Sequence, residues 1–422
     1  MSVQIRISTL DRATTGLTCT AMSDTTPILL NLPLEMLQHI CSFVTPDSLI
    51  SLRCVCRELY NASYDVFAEV FLKELSCFIP DVSRLKRLNA IASVPHLRRK
   101  IEYVYLMMCC FECEGGHYQC APKENGNIVD TMMKLEGQGL ETSSQPTYQH
   151  SAFLYMISTL KQLQEPSVQL SMLFCMAPEL SCAADVVNDM LRIVAALYCP
   201  LTMLLCKDEQ IAALDGQFTS GYSGVLDCVL DLQAFHFLTM LDDTLHPTAV
   251  SGVRAATHIL ATSKDLNRLQ LKFSGQTHDW SQINAHVLRL STNLLLANDL
   301  SWVVQLILCG ITSEQETIRE VMLRCMDSVQ HIDLTSICLI GAPESWIKTL
   351  KWIDDCSELE KLQFNDLSVL DAGLSYSVAF RERSVPSATG NGSESLLLES
   401  KATLHADLEA VINDDLIFSE ER

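Results

Sequence analysis

Between Leu32 and Tyr60 the apolar positions fall at helical spacing, and they do so twice over. Leu34, Leu37, Cys41 and Val44 are separated by three, four and three residues, while Met36, Ile40 and Phe43 run beside them at four and three. The next segment repeats the arrangement: Leu49, Leu52, Cys56 and Leu59 form a stripe with Ile50 and Val55 alongside. The helix starts can be placed as well. Pro33 suits a first turn, where its missing N–H would have no partner anyway. Thr45-Pro46-Asp47 supplies a cap residue, a proline and an acid at the positive end of the helix dipole. A third helix begins near Cys54. An ordinary surface helix turns one apolar stripe to its core. A unit this short cannot enclose two stripes per helix, because small domains bury too little of their surface. The second stripe must therefore be covered by the rest of the chain or by another protein.

Further along, a different period takes over. Ile101, Val104 and Leu106 follow an i, i+3, i+5 pattern, and so do Leu266/Leu269/Leu271, Val303/Leu306/Leu308, Val329/Ile332/Leu334 and Leu359/Leu362/Phe364. The last four begin 37, 26 and 30 residues apart. Each is followed by a segment that can return as a helix, such as "APESWIKTLKWIDDC". One short strand and one helix per unit is the logic of leucine-rich repeats, in which no unit can bury its apolar face alone. The spacing is irregular and the usual asparagine after the strand is absent, so generic α/β strands remain the competing reading. The expected fold is α/β: three N-terminal helices, then an irregular leucine-rich-repeat-like solenoid of short parallel strands and helices. The divisions are residues 1–28, Thr/Ser-rich and disordered; 29–75, the helical module; 76–372, the repeat body with a polar, Gly-bearing insertion near 109–150; and 373–422, an acidic, partly disordered tail. Within that tail Leu404, Leu408 and Val411 have helical spacing.

Composition narrows the function. The chain has 422 residues, 48% hydrophobic and 19% charged, so it can form a sizeable core. Its net charge of −21 argues against phosphate-backbone binding, and no nucleic-acid partner is expected. The segment from Arg84 to Lys100 has six Lys and Arg and no acid, and reads as a solvated helix face. The longest apolar run, Ile193–Cys206, is interrupted by Pro200 and is too short to cross a bilayer, so no membrane partner is expected either. Eighteen cysteines are scattered without a disulfide framework. Cys41, Cys54, Cys56, Cys175 and Cys206 sit in apolar contexts and read as reduced thiols. With no signal peptide in view, that places the protein in the cytoplasm or nucleus.

The order of residues in the first segment resembles the F-box motif. Leu32-Pro33-x-Glu35 matches its opening, and Ile40 with Phe43-Val44 matches the end of its first helix. Pro46-Asp47-x-Leu49 matches the start of the middle helix, and Leu52-x-x-Val55-Cys56-Arg57 the third. The usual tryptophan is replaced by Leu59-Tyr60. The resemblance implies docking onto the Skp adaptor and, through it, a cullin-RING ubiquitin ligase, with the remainder of the chain capturing a protein substrate. The layout is similar to that of fungal F-box proteins with a degenerate leucine-rich-repeat body. Carried over position by position, the adaptor-binding residues are Leu32, Pro33, Ile40, Leu49, Leu52 and Val55. The motif alone does not separate adaptor-facing residues from those of the module's own core.

Other chemistry finds little support. Cys110, Cys113, His117 and Cys120 offer four soft ligands, but their spacing matches no common zinc motif, so no metal or cofactor is expected. Gly137-x-Gly139 lacks a third glycine, "SGYSG" at 220–224 lacks nucleophile-elbow spacing, and there is neither a phosphate-binding loop nor a His-Glu-x-x-His. His236 and His258 lie in helical patterns and read as satisfied core or surface residues. Asn61-Ala62-Ser63 and Asn391-Gly392-Ser393 fit the glycosylation pattern by chance. The protein is not expected to be an enzyme. A scaffold with a non-ligase F-box and a cysteine-dependent enzyme are the two alternatives. Trp280, Trp302, Trp346 and Trp352 are candidate contact residues or core.

Overall fold

The computed structural model describes residues 29, 32–79, 82–107, 148–164, 168–174, 184–219, 224–240, 246–273, 285–371, 374–380, 395–399 and 403–420. The expectations for residues 1–28, for most of the insertion near 109–150, for Cys175 and for Trp280 fall outside these. The chain forms two compact units, Met1–Phe71 and Leu72–Arg422. The boundary lies four residues before the sequence-based one, because Glu74–Phe78 is a strand of the second unit rather than a continuation of the helices.

The first unit consists of α1 (Leu34–Ser42), α2 (Pro46–Arg53), α3 (Arg57–Ala62) and α4 (Tyr64–Phe71). It has one more helix than expected, and the third starts after Cys56 rather than near Cys54. Pro46 occupies the first helical position of α2. Thr45 precedes it as the cap residue, although its hydroxyl donates to Ser48 Oγ at 3.0 Å and accepts no capping bond from a helix backbone N–H. Leu37, Cys41, Leu49, Leu59, Ala62 and Phe71 form the core, with Leu32, Val44, Leu52, Cys56, Val66 and Phe67 packed around it.

The second unit is mixed α/β, built on a large, mostly parallel sheet. Its ten strands are β1 (Glu74–Phe78), β2 (Tyr103–Met107), β3 (Gln169–Leu173), β4 (Leu201–Lys207), β5 (Ala234–Thr239), β6 (Arg268–Phe273), β7 (Gln305–Cys309), β9 (His331–Thr335), β11 (Lys361–Asn365) and β14 (Ser395–Glu399), and they lie in that order. All pairs are parallel except β11–β14. Each connection steps one place in the same direction, and parallel crossovers are right-handed, so the connecting helices fall on one face of the sheet. In β6, β7, β9 and β11 alternation then buries one side and leaves the other more accessible, whereas β5 is buried on both. All fifteen positions in the five apolar patterns are buried. The register lines them up in a row from Cys77 through Leu106, Met172, Leu204, Phe235, Leu269, Leu306 and Ile332 to Leu362.

Toward the C-terminus each unit gains a second strand. β8 (Thr312–Glu314), β10 (Cys338–Ile340) and β12 (Leu367–Asp371) follow β7, β9 and β11 and form the parallel part of a second sheet. The corner between each pair is a left-handed residue: Gly310 (φ 66°), Ser336 (φ 51°) and Asp366 (φ 54°). These corners stack. Gly310 N–H donates to Thr335 O at 2.9 Å, Ser336 N–H to Asn365 O at 2.8 Å, and the Ser336 hydroxyl to Asp366 Oδ2 at 2.8 Å. A Cβ at Gly310 would lie 2.0 Å from the Phe273 carbonyl oxygen, so both the turn and the space require glycine there.

Two expectations are corrected. The apolar run Ile193–Cys206 is not one element: it divides between a helix, Ala184–Ala196, and strand β4, with a turn at Tyr198 (φ 51°) before Pro200. The tail contributes regular structure. β13 (Leu374–Phe380) and β15 (Leu416–Glu420) add antiparallel strands to the second sheet, β14 closes the first, and a helix spans Leu404–Ala410. That helix has the predicted spacing, with Leu404, Leu408 and Val411 buried. Residues 381–394 and 400–402 lie outside the described ones, and the alternating apolar positions of the rest reach the ends of both sheets.

Candidate functional site

In α1 the two stripes part company. Leu37 and Cys41 turn inward, and burial raises the Cys41 thiol above its ordinary range while Arg53 opposes the shift. Met36, Ile40 and Phe43 face solvent, with Phe43 76% exposed. Its ring meets that of His39 edge-on at 4.9 Å. From the following elements, Ile50, Val55 and Tyr60 are also exposed, Val55 at 69%. Burial alone cannot hold such side chains in water. Their outward placement is fixed by the inward stripe of the same helices and by a polar clamp among α2, α3 and α4.

Arg53 is the centre of that clamp. Its guanidinium lies 4.0 Å from the centroid of Tyr60 and 4.1 Å from that of Phe67. It also donates to Tyr60 O at 3.2 Å and to Ser63 Oγ at 3.3 Å. Ser63, itself buried, donates to Tyr60 O at 3.1 Å. The stacked geometry needs a planar cation, so lysine would not reproduce it. On the rim, the Glu58 carboxyl is held below its usual range by its own backbone N–H and by Cys56.

The six residues singled out from the sequence divide three ways. Pro33, Ile40 and Val55 are exposed; Leu32 and Leu52 are half-buried against the module's core; Leu49 is fully enclosed. Leu49 is thus a core residue here, enclosed with Leu37, Cys41, Leu59, Ala62 and Phe71. The exposed residues that the six omitted are Leu34, Met36, Phe43, Ile50 and Tyr60. The stripe Met36/Ile40/Phe43 carried the signal for most of them.

Elsewhere, the basic stretch Arg84–Lys100 forms an amphipathic helix, Val82–Ala92, and a short turn of helix, Pro95–Arg98. Leu85, Leu88 and Ala92 are buried while Arg84, Lys86 and Arg87 are exposed. Trp346 is core, its indole N–H donating to Ser368 O at 2.8 Å, whereas Trp302 is 70% exposed and Trp352 sits under the Arg319 guanidinium. His236 is buried on strand β5 and not on a helix as expected, because its neighbours pair with β4 and β6, whereas His258 lies on the helix Pro247–Thr262 and packs on Phe218. Cys228, Cys325 and Cys356 are buried thiols, each pushed up to about 12, chiefly by burial. No group of three His, Cys, Asp or Glu among the described residues could hold a metal, and Cys110, Cys113, His117 and Cys120 lie outside them. Among the described residues no helix is long and apolar enough to cross a membrane.

With that geometry in hand, comparison with known proteins identifies the class of the first unit: residues 29–66 match the F-box domain. The chain therefore carries an F-box domain, which supports reading it as an F-box protein. No curated protein matches this chain.

Proposed function

We propose that the chain is a substrate-recognition subunit of a Skp–cullin–F-box ubiquitin ligase. The F-box binds the Skp adaptor and, through it, the cullin-RING ligase; the body holds a target protein near the ubiquitin donor. The observation that carries this reading is a coincidence in space. The segment matched as an F-box domain is the segment whose second apolar stripe faces water, at Met36, Ile40 and Phe43 with Ile50 and Val55. Exposed contiguous apolar surface of this kind marks protein–protein contact.

For the body we favour a leucine-rich-repeat-like stack. In its support stand the sequential parallel strands, the strand starts at 268, 305, 331 and 361, and the recurring strand–corner–strand–helix units after β7. The action is positional and involves no bond chemistry and no cofactor. High thiol pKa values speak against nucleophiles at Cys228, Cys325 and Cys356. The net charge of −21 disfavours nucleic acid and anionic membranes as partners, and the cysteine usage fits the cytoplasm or nucleus.

Co-purification of the full chain with the Skp adaptor tests the reading. The wild-type chain is expected to retain the adaptor through gel filtration, and Val55→Asp to lose it while eluting as a folded protein. A wild-type chain that fails to retain the adaptor overturns the ligase assignment and leaves a scaffold.

A further inference from the structure

The accessible face of the ten-stranded sheet has its own pattern. Register places Arg268, Gln305, His331 and Lys361 in one row across β6, β7, β9 and β11. Two residues on, Gln270, Ile307, Asp333 and Gln363 form a second row, and Lys272 begins a third. Period-two alternation puts all three rows on the same side. Between them lies a shallow hollow of about 280 Å³, lined by Gln305, Ile307, His331, Asp333, Lys361 and Gln363.

Charge on this face runs against that of the chain. The protein as a whole carries −21, yet these rows hold Arg268, Lys272 and Lys361 against Asp333 and against Glu399, which the register sets opposite Lys361 on β14. Asp333 is partly satisfied by the Thr335 hydroxyl at 2.9 Å, and Lys361 is engaged with other groups. Among the described residues no carboxylate pairs with Arg268 or Lys272. Arg268 Nε is shielded from water without an acceptor, and so is Nε2 of His236 on the neighbouring strand. Burial, and next the Arg268 charge, hold His236 down to about 4, so near neutral pH its ring adds no charge to this face.

We propose that this face binds an extended acidic segment of the target protein, with carboxylates at alternate residues, running across the strands from β6 to β11. The inference rests on the reading that the body captures a target. The geometry matches the ligand: three strand spacings of about 4.8 Å give about 14 Å, and residues i and i+4 of an extended chain, at about 3.4 Å per residue, span the same distance. A carboxylate at i then meets Arg268, the side chains of Gln305 and His331 bond the middle of the segment, and the residue at i+4 reaches the Lys361 end of the hollow. Lys272 adds attraction from the third row. Asp333, inside the hollow, opposes the ligand's charge and sets a sign for testing.

The test is fluorescence anisotropy on the full chain bound to its adaptor, with a labelled peptide of alternating glutamate and valine against the same peptide carrying glutamine. The acidic peptide is expected to bind at least tenfold more tightly, with affinity falling as salt shortens the screening length. Arg268→Gln combined with Lys272→Gln should lose most of that difference, Arg268→Lys should keep part of it, and Asp333→Asn should tighten binding. Equal affinity for the two peptides, or no response to Asp333→Asn, overturns the acidic-segment assignment. Adaptor retention is measured on the same samples. A failure of this inference therefore leaves the F-box reading intact, and loss of the adaptor marks a failure of that reading instead.

Discussion

Replacing Phe43 with alanine separates docking from folding more sharply than any other change in the F-box. A phenylalanine side chain presents about 200 Å², and at 76% exposure about 150 Å² of it remains to be covered by a partner. At roughly 25 cal/mol per Å² the ceiling on its contribution is about 4 kcal/mol. Contacts that qualify as binding hot spots begin at about 2 kcal/mol. Phe43→Ala should therefore weaken adaptor affinity by about 30-fold to several hundred-fold, at about 1.4 kcal/mol per factor of ten. Because the side chain is largely exposed and lies outside the module's core cluster, the cost to stability should stay within about 0.5 kcal/mol. Leu49→Ala is the mirror image: the side chain is fully enclosed, and its loss should cost about 2–5 kcal/mol of stability. Titration calorimetry with purified adaptor, paired with thermal unfolding of each variant, reads both quantities. A Phe43→Ala chain that binds within threefold of wild type would refute the exposed-stripe argument. So would a loss of affinity that merely tracks a lowered melting temperature.

Three further outcomes follow from the body. Gly310→Ala should destabilise by roughly 2–5 kcal/mol, combining a left-handed backbone cost with overlap on the Phe273 carbonyl, whereas Ser336→Gly at the next corner should stay within about 1 kcal/mol; denaturant midpoints compare the two. His236, held at about 4 against 6.5 when unfolded, favours the folded state fully above pH 6.5, and that contribution of up to about 3 kcal/mol is lost as pH falls from 6.5 toward 4. His236→Gln should flatten this limb of the stability–pH curve, and an unchanged slope would count against the buried neutral imidazole. Mild alkylation at neutral pH should label the exposed Cys54 while Cys228, Cys325 and Cys356 stay unmodified until denaturant is added, as peptide mass mapping would show.

The strands most visible in the sequence are those with one buried face. Leu266, Leu269 and Leu271 alternate with polar residues because the helices cover only one side of β6, and the same holds for β7, β9 and β11. β5 hid itself: all six of its residues are buried, so "AFHFLT" shows no alternation. β4 was absorbed into a longer apolar run whose break at Pro200 is a turn, not an interruption of one element. In the tail, "LSYSVAF" alternates correctly for β13, but its polar neighbourhood and the distance to its partner strands concealed the pairing. At the F-box, spacing identified two stripes, yet periodicity is blind to which one faces inward. That depended on Leu59, Ala62 and Phe71 arriving from α3 and α4 to enclose Leu37, Cys41 and Leu49.

A row of parallel strands has no inherent last member, because its final edge offers the same unpaired amides and carbonyls as every edge before it. Here the chain reverses direction at the end. β14 runs against β11, β13 against β12, and β15 against β13, so the edges the repeating strands leave are taken up by strands of the antiparallel kind. The hydrogen-bond ladder at the end of each sheet is thus of alternating antiparallel spacing, unlike the evenly slanted parallel ladder inside the stack.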